Sequence, residues 1–298
     1  PNKLVAPRDF PFELADGLQK EGVNIQPAEG FFFPERAIKT ADEVRQIREA
    51  QALNEQAFAR AFATLSESTI GQDGLLYWQD EVLTAEKLRG QMNALIAGEG
   101  GMPSEVIVAC GGQGADPHER GHGSLKAHEL IIIDSFPRGS SGNFYHGDLT
   151  RTVLKGTPTE EQQKLYQTVK EGQQIALDML CSKVSGQVTG QAVHEAIQKH
   201  FQAEGYETGL DQQGRNTGFF HGTGHSIGLE VHDQGPGIRR GRIDDPKEPD
   251  PLPAGLVVTV EPGLYYPNIG GVRIEDIVHV TENGVENLTT LPKELVIA

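Results

Sequence analysis

Acidic side chains stand in or beside four strand-like stretches of the sequence that are otherwise apolar. Asp134 ends the run LIIID, and Glu261 ends the run VVTVE. Asp148 lies in YHGDLTRTVL and Glu275 in GVRIEDIV, and both stretches carry the β-branched residues that favour strands. Acidic residues are almost never fully buried unless they are paired or bind a metal. The sequence therefore predicts carboxylates that converge on one or two divalent cations, which remove their mutual repulsion.

Alternation along these strands predicts which side chains share a face. Successive side chains of a strand point to opposite faces, so a strand through YHGDLTRTVL would place Asp148, Thr150 and Thr152 together. By the same rule, Arg273 and Glu275 share a face of GVRIEDIV. Ile277 lies on that same face, whereas Val272, Ile274, Asp276 and Val278 share the other.

A histidine-rich segment, HGTGHSIGLEVHD, covers residues 221–233 and contains His221, His225 and His232. One imidazole would complete the metal shell, and the others would act on a substrate. A ligand set of carboxylates with one imidazole suits Mn²⁺, Co²⁺ or Fe²⁺, and Zn²⁺ also accepts it. The four-residue spacing of the first two histidines matches the helical zinc motif HExxH. That interpretation is weak, because residue 222 is Gly and glycines disfavour a helix.

The order of predicted elements suggests a duplicated α+β unit. Helices are predicted from Thr40, with a capping box completed by Glu43, and from Thr84. Each pair of helices is followed by strands. The further predicted helices are 157–184, with Pro158 in its first turn, and 189–205, and the predicted strands are 105–110, 130–136, 144–154, the histidine segment, 255–266 and 270–281. A short helix leading to a short strand is also expected within residues 11–26.

Composition limits the classes of function. Lys and Arg total 26 against 42 Asp and Glu, which gives a formal net charge of −16. This charge argues against a nucleic-acid binder, which would need a basic surface. The longest apolar runs are strand-sized, so no membrane association is expected. Two cysteines make no disulfide framework and no signal peptide is visible, so a reducing compartment, the cytoplasm, is expected.

Five motifs now carry a resemblance to a known family. IIIDSFP, GDLTRT, HGTGHSIGLEVHD, VEPGLYY and GVRIED occur in the order found in the metallopeptidase family of methionine aminopeptidase, aminopeptidase P and prolidase. The chain most resembles the Xaa-Pro branch. The resemblance implies the α+β pita-bread fold, two pseudo-symmetric halves around a dinuclear metal site, over residues 37–298. Residues 1–36 resemble the tail of a smaller N-terminal domain that is mostly absent from this chain.

The resemblance also implies roles for individual residues. Asp148 and Glu275 would bridge two divalent ions, with Mn²⁺ expected and Co²⁺, Fe²⁺ or Zn²⁺ as alternatives. His118 and His232 would be catalytic and would bind the substrate, His221 would line its pocket, and Arg273 would contact a substrate carboxylate. The implied metal ligands are Asp134, Asp148, His225, Glu261 and Glu275.

The activity implied by the resemblance is that of a metal-dependent exopeptidase, either an Xaa-Pro aminopeptidase or an Xaa-Pro dipeptidase (prolidase). A metal-bridging hydroxide would attack the peptide carbonyl, and Glu261 would carry the proton to the leaving amine. The expected partner is a peptide substrate, with a homodimer as the expected assembly. Two alternatives stay open: a creatinase-like C–N hydrolase, and a catalytically silent binding protein on the same fold.

One departure from the family pattern concerns the first two carboxylates. Asp134 and Asp148 lie fourteen residues apart, which is farther than the family commonly places them, and DSFP replaces the usual Asp-x-Gly. The additional residues fall in PRGSSGN, residues 137–143, which predicts a longer hairpin turn beside the site. Both strand contexts are intact, so both residues keep their assignment as ligands.

Overall fold

A computed structural model describes residues 3–181, 186–241 and 250–298 of the chain. The helices are α1 Phe12–Lys20, α2 Ala41–Glu67, α3 Ala85–Gly98, α4 Glu160–Cys181 and α5 Gly190–Ala203, with short 3-10 turns at Pro34–Ala37 and Gly111–Ala115. The strands of the first half of the chain are β1 Lys3–Ala6, β2 Asn24–Pro27, β3 Thr69–Ile70, β4 Leu76–Trp78, β5 Glu81–Val82, β6 Ile107–Cys110, β7 Ile131–Ser135 and β8 Leu149–Lys155. Those of the second half are β9 Gly209–Leu210, β10 Asn216–Thr217, β11 Val257–Val260, β12 Gly263–Tyr266, β13 Gly270–Arg273, β14 Asp276–Thr281, β15 Gly284–Asn287 and β16 Val296–Ile297.

The N-terminal segment contains the short helix and strand that the sequence predicts. Strand β1 pairs in parallel with β2, and α1 connects them. No residue of α1 is buried, so this helix lies on the surface of the described structure. The predicted domain division between residues 36 and 37 stays a prediction.

The first half of the chain packs two helices on a sheet. Helix α2 begins with the predicted capping box, in which Thr40 and Glu43 bond each other's backbone N–H, and the Thr84 side chain caps α3. The sheet has the strand order β16-β8-β7-β6, in which β6, β7 and β8 are antiparallel and β16, from the C-terminal end of the chain, pairs in parallel with β8. Its core includes Phe58 of α2, Met92 of α3 and Ile133 of β7, all fully buried. This half therefore has a hydrophobic core of its own.

The second half repeats the plan with a different set of sheets. Helices α4 and α5 pack over β11, β14 and β15, which form one antiparallel sheet, and over the β12–β13 pair. Val169 of α4, Phe201 of α5 and Val258 of β11 belong to this second core. Two helices on antiparallel strands thus occur twice, as the order of elements predicted.

The two halves meet along β8 and the stretch from β13 to β14. The Thr152 hydroxyl accepts a hydrogen bond from Arg273 N and donates one to Arg273 O, both at 3.0 Å. Glu275 N donates to Thr150 O at 3.0 Å. The side chain of Arg151 is 1% exposed and donates a hydrogen bond to Asp276 at 2.9 Å. It also donates to the carbonyl oxygens of Thr150 in β8 and of Glu275 between β13 and β14. This buried contact of β8 with residues 273–276, called the seam below, holds the two halves together.

Three predicted details differ from the structure. The histidine segment is a loop held by single bridges rather than a strand, because its glycines favour turns over a continuous ladder. Strand β8 begins at Leu149, so Asp148 precedes it, and Glu275 lies between two strands. Pro158 precedes α4 instead of entering its first turn, since Thr159 caps that helix through Gln162 N. Residues 182–184 of the predicted helix lie outside the described residues.

The segment PRGSSGN forms the predicted longer hairpin turn between β7 and β8. Arg138 bridges to both Met102 and His146, and Gly147 N donates to Pro137 O. Asn143 donates from its side-chain amide to Gln46 O of α2 at 2.7 Å. The additional residues are therefore anchored on α2.

Within residues 3–181, 186–241 and 250–298, every helix is too short or too polar to cross a lipid bilayer.

We expect the buried contacts of Arg151 at the seam to contribute to the free energy of unfolding. Replacing Arg151 with Met removes a buried cation and leaves Asp276 with Lys293 as its remaining ion-pair partner. We expect the free energy of unfolding, measured by urea denaturation, to fall by about 3–5 kcal/mol. Arg48→Met is the matched control, because its pair with Glu286 is exposed and should contribute only about 0–1 kcal/mol. Equal effects of the two substitutions would contradict the importance of the seam.

Candidate metal centre and active site

A cavity of about 720 Å³ is lined by residues from both halves of the chain. The structure brings every predicted site residue to its wall. Those residues are His118, Asp134, Asp148, His221, His225, His232, Glu261, Arg273 and Glu275.

The acidic residues reach the cavity because each lies at or beside the end of a strand. Asp134 is in β7, opposite Thr150 of β8. Asp148 directly precedes β8, and its N–H donates to the Gln51 side chain of α2 at 2.9 Å. Gly147 allows this contact, because a Cβ there would lie 2.9 Å from the backbone of Ala50. A close approach of backbone to helix therefore sets the position of Asp148.

Three of the predicted ligands form a compact set. Asp148, His225 and Glu275 each offer one ligand atom, and these atoms lie within 4.8 Å of one another. His225 Nε2 is 3.6 Å from Asp148 Oδ2 and 3.4 Å from Glu261 Oε1. The Thr150 hydroxyl donates to Glu275 Oε2 at 2.8 Å, which fixes the orientation of that carboxylate. Such a donor set is of the type that holds a divalent ion.

The hydrogen bond of His225 indicates which ring nitrogen is free to bind a metal. Its Nδ1 lies 3.1 Å from Ser226 O, a carbonyl that can only accept, so Nδ1 carries the proton. Burial lowers the pKa of His225, so the ring is neutral and Nε2 presents a lone pair. A lone pair facing two carboxylates is unfavourable without a cation between them, and this orientation is typical of a metal-binding histidine.

The carboxylate of Asp134 gives separate evidence that the site fits a cation. Its Oδ2 accepts a 2.6 Å hydrogen bond from Arg273. Its Oδ1 is buried and has no hydrogen-bond partner among the described residues. A buried oxygen without a partner is costly, and metal coordination would satisfy it. The residues present therefore fit a divalent metal.

Burial raises the pKa values of three carboxylic acids in the cavity. It raises the pKa of Asp148 and Glu275 well above their usual range, and each is raised further by neighbouring carboxylates. Burial also raises the pKa of Glu261 to about 7, although Arg273 opposes the shift. The protein without metal therefore holds protons that a divalent ion would displace.

Arg273 connects Asp134 to the histidine segment. Besides Asp134, its guanidinium bonds the Tyr265 hydroxyl at 3.0 Å, and Tyr265 lies 2.8 Å from His221 Nε2. Burial, and then the charge of Arg273, lowers the pKa of His221 to about 3, so this ring is neutral. Arg273 thus already has protein partners in the structure, and its predicted contact with a substrate carboxylate stays a prediction.

The other two histidines, His118 and His232, also line the cavity. The His118 side chain is 92% exposed. His232 packs its ring against that of His225, with 4.2 Å between the centroids. Both are accessible to a molecule that enters the cavity, which is the position expected of residues that bind substrate.

Sequence reasoning did not identify the polar residues that support the ligands. Gln51 holds Asp148, Asn54 donates to Ser135 O next to Asp134, and Thr259 bonds both His225 N and Glu261. For the two α2 residues a signal was present, because both are amides on the apolar face of an amphipathic helix and both are fully buried.

Comparison with known proteins now adds to this geometry. The family model described as metallopeptidase family M24 matches residues 45–282. The chain belongs to metallopeptidase family M24. This confirms the predicted family, and membership of a family of metallopeptidases agrees with the metal-type cluster of Asp148, His225 and Glu275.

Individual M24 relatives resemble the chain over most of its length. It is 32% identical over 264 residues to the uncharacterised peptidase YqhT of Bacillus subtilis, covering 88% of this chain and 65% of the relative. It is 31% identical over 261 residues to the Xaa-Pro dipeptidase of Pyrococcus furiosus, covering 87% and 65%. The chain therefore spans about two thirds, 65%, of the length of these curated relatives.

A solved structure confirms the fold. The crystal structure of the prolidase from Pyrococcus horikoshii superposes with a TM-score of 0.80 at 25% identity, covering 98% of this chain and 75% of that one. The predicted pita-bread fold, with a mixed α/β architecture in two halves, is thus correct.

The buried acids generate a prediction about metal binding and pH. The pKa values of these acids are higher in the folded state than in the unfolded chain, where they are about 4–4.5. The stabilisation that the protonated acids contribute is therefore complete at a pH below about 4–4.5. This stabilisation is lost as the pH rises through the pKa of the folded state, which is about 7 for Glu261. Divalent metal binds the deprotonated acids and so competes with protons. We expect added Mn²⁺ to raise the melting temperature of chelator-treated protein more at pH 7.5 than at pH 5. An equal rise at both pH values, by scanning calorimetry, would contradict this.

Proposed function

We propose that this chain hydrolyses the peptide bond that precedes proline, as a metal-dependent Xaa-Pro dipeptidase or Xaa-Pro aminopeptidase. The observation that carries the proposal is the convergence of four carboxylates and His225 in one cavity of an M24 chain. Relatives whose printed names give an activity support the choice of substrate, because the Pyrococcus furiosus protein is an Xaa-Pro dipeptidase.

The metal would be held by the five side chains assigned as ligands. Asp148, His225 and Glu275 form the compact set, and Glu261 lies next to His225. Asp134 contributes the oxygen that lacks a hydrogen bond among the described residues. When bound, divalent ions supply Lewis-acid polarisation of the carbonyl and lower the pKa of water. We propose two ions, with Mn²⁺ as the physiological metal, because carboxylate-rich sites with one imidazole suit it.

The remaining residues of the cavity would bind and orient the peptide. His118 and His232 face the cavity and can donate hydrogen bonds to a carbonyl oxygen on which negative charge develops. Glu261 is positioned by the Thr259 hydroxyl and would carry the proton to the leaving amine. A proline amide has no N–H, so a site for it requires no acceptor at that position. His221, whose Nε2 is directed at Tyr265, would form part of the pocket wall.

The assembly and location are also proposed. Both cysteines are free, with Cys110 buried and Cys181 exposed, which suits a reducing compartment such as the cytoplasm. The resemblance to the Xaa-Pro branch favours a homodimer, which sedimentation of the purified protein would test.

A substrate panel tests the proposed activity. Protein loaded with Mn²⁺, Co²⁺ or Zn²⁺ would be given Xaa-Pro dipeptides, Xaa-Pro-Yaa peptides, Met-Ala peptides and creatine. We expect the highest kcat/KM with an Xaa-Pro peptide. Faster turnover of Met-Ala peptides or creatine would overturn the substrate assignment. Bound metal without any turnover would favour a binding protein on the same fold.

Replacing Glu275 with Gln tests the metal centre. The amide can still accept the Thr150 hydrogen bond, but it carries no charge to balance two cations. We expect kcat to fall about a hundredfold or more, as for the loss of a major electrostatic contribution, while the circular dichroism spectrum stays unchanged. Glu282→Gln, an exposed position seven residues on, is the control and should keep full activity. Near-normal turnover of the Glu275 variant with saturating metal would reject the assignment.

Replacing Arg273 with Lys tests whether this residue binds the free carboxylate of a dipeptide. A guanidinium can bind a carboxylate through two parallel hydrogen bonds, and an ammonium cannot. We expect KM to rise more for Xaa-Pro dipeptides than for Xaa-Pro-Yaa peptides in steady-state kinetics. Equal losses for both lengths would show that Arg273 acts through its 2.6 Å contact with Asp134.

A further inference from the structure

An ion cluster lies beside one of the cavity histidines, and its acidic member, Asp233, also lines the cavity. Asp233 follows His232 in the chain, and its side chain is only 2% exposed. Its Oδ1 is 2.5 Å from Arg36 Nη2, and its Oδ2 is 3.6 Å from Lys39 Nζ. The Lys39 side chain is also 2% exposed. One buried anion thus lies between a buried cation, Lys39, and a partly exposed one, Arg36.

The Asp233 carboxylate also closes the loop that carries His232. It accepts hydrogen bonds from Gln234 N at 2.7 Å and from Leu229 N at 3.2 Å. Gly228 leaves room for it, because a Cβ there would lie 2.1 Å from Asp233 Oδ2. The backbone from residue 228 to residue 234 is therefore wrapped around this one side chain.

The cations come from a different part of the chain, outside the residues matched by the M24 model. Arg36 and Lys39 precede α2, whereas the match begins at residue 45. The same segment contacts the loop again, since Phe33 N donates to the Gln234 side chain at 2.7 Å. Lys39 N donates to Gly255 O, which fixes the segment beside β11. The loop is thus anchored by the segment that precedes α2.

His232 depends on this anchor for its position. Among the described residues its imidazole makes a ring contact with His225 and no side-chain hydrogen bond. The path of the loop backbone therefore sets where the ring lies in the cavity. Asp233, one residue on, is the buried side chain that ties that backbone to Arg36 and Lys39, in addition to the ties of Gln234 to Phe33 N and of Gly228 O to His146 N.

We infer that Arg36, Lys39 and Asp233 are positioning residues that hold His232 where it can contact the substrate. The inference rests on the proposed function for the role of His232, whereas the anchoring of the loop does not. Burying charges carries a desolvation penalty that well-packed apolar side chains would avoid, so such a cluster contributes little net stability. What it supplies here is a fixed geometry for one loop.

Steady-state kinetics with a double-mutant cycle tests the inference. We expect Asp233→Asn and Arg36→Gln to lower kcat for an Xaa-Pro peptide by about tenfold to a hundredfold, the usual effect of a small misplacement, with little change in KM. In a His232→Ala background, Asp233→Asn should lower kcat by no more than about twofold, because the residue it positions is gone. Losses that multiply in the double variant would overturn the inference.

Two controls separate positioning from general damage. Glu230→Gln removes the exposed partner of the same Arg36 and should leave kcat unchanged. The affinity for Mn²⁺, measured by calorimetry, should change far less than the roughly 10–100-fold expected when support of a metal ligand is lost. A large loss of affinity in Asp233→Asn would mean that the cluster supports the metal site instead of His232. Arg36→Gln, at a partly exposed cation, remains available if Asp233→Asn does not fold.

Hydrogen exchange gives a readout that needs neither metal nor activity. In metal-free protein, Asp233→Asn should speed exchange of the amides of residues 228–234, while α2 and α4 keep their protection. If the wild type cleaves no peptide, the proposed function fails, and exchange alone still decides whether Asp233 anchors the loop. Unchanged exchange in residues 228–234 would overturn the anchor.

Discussion

Mutual repulsion among carboxylates is the constraint on which the rest of this structure depends. Asp148, Glu261 and Glu275 are brought together in one cavity, and burial raises the pKa of each. Charges of one sign persist in such a site only when cations or protons compensate them. The fold supplies part of the compensation through Arg273, which bonds Asp134, and a divalent metal at the candidate site would supply the remainder.

Polar contacts behind the cavity keep the two halves in register. Arg151 bonds backbone carbonyl groups on both sides of the seam as well as Asp276. Thr150 and Thr152, its neighbours on the opposite face of β8, bond Glu275 and Arg273. One face of β8 thus joins the two halves, and the other face orients residues of the candidate metal site. Relative movement of the halves would separate the ligands.

Much of the fold was predictable from the sequence, because local signals agreed with the final structure. The capping box of Thr40 and Glu43 defined the start of α2, and apolar runs that end in acidic residues defined β7 and β11. The motif order identified the family, and the predicted site residues all line one cavity. The contacts of Arg273 with Asp134 and Tyr265 were not predictable, since they join residues far apart in the chain. The histidine segment was wrongly predicted as a strand, because alternation alone does not reveal that its glycines support a folded loop.

The hairpin between β7 and β8 shows that distance along the chain and distance in space are set by different features. Asp134 is placed by its register opposite Thr150, and Asp148 by the approach of Gly147 to α2. The residues of the turn between them are held by the contact of Asn143 with Gln46 of α2. Chains of this kind can therefore gain or lose hairpin residues during evolution without moving a ligand. A search pattern that demands a fixed interval between the two aspartates would overlook such chains, whereas one built on the flanking strands would find them.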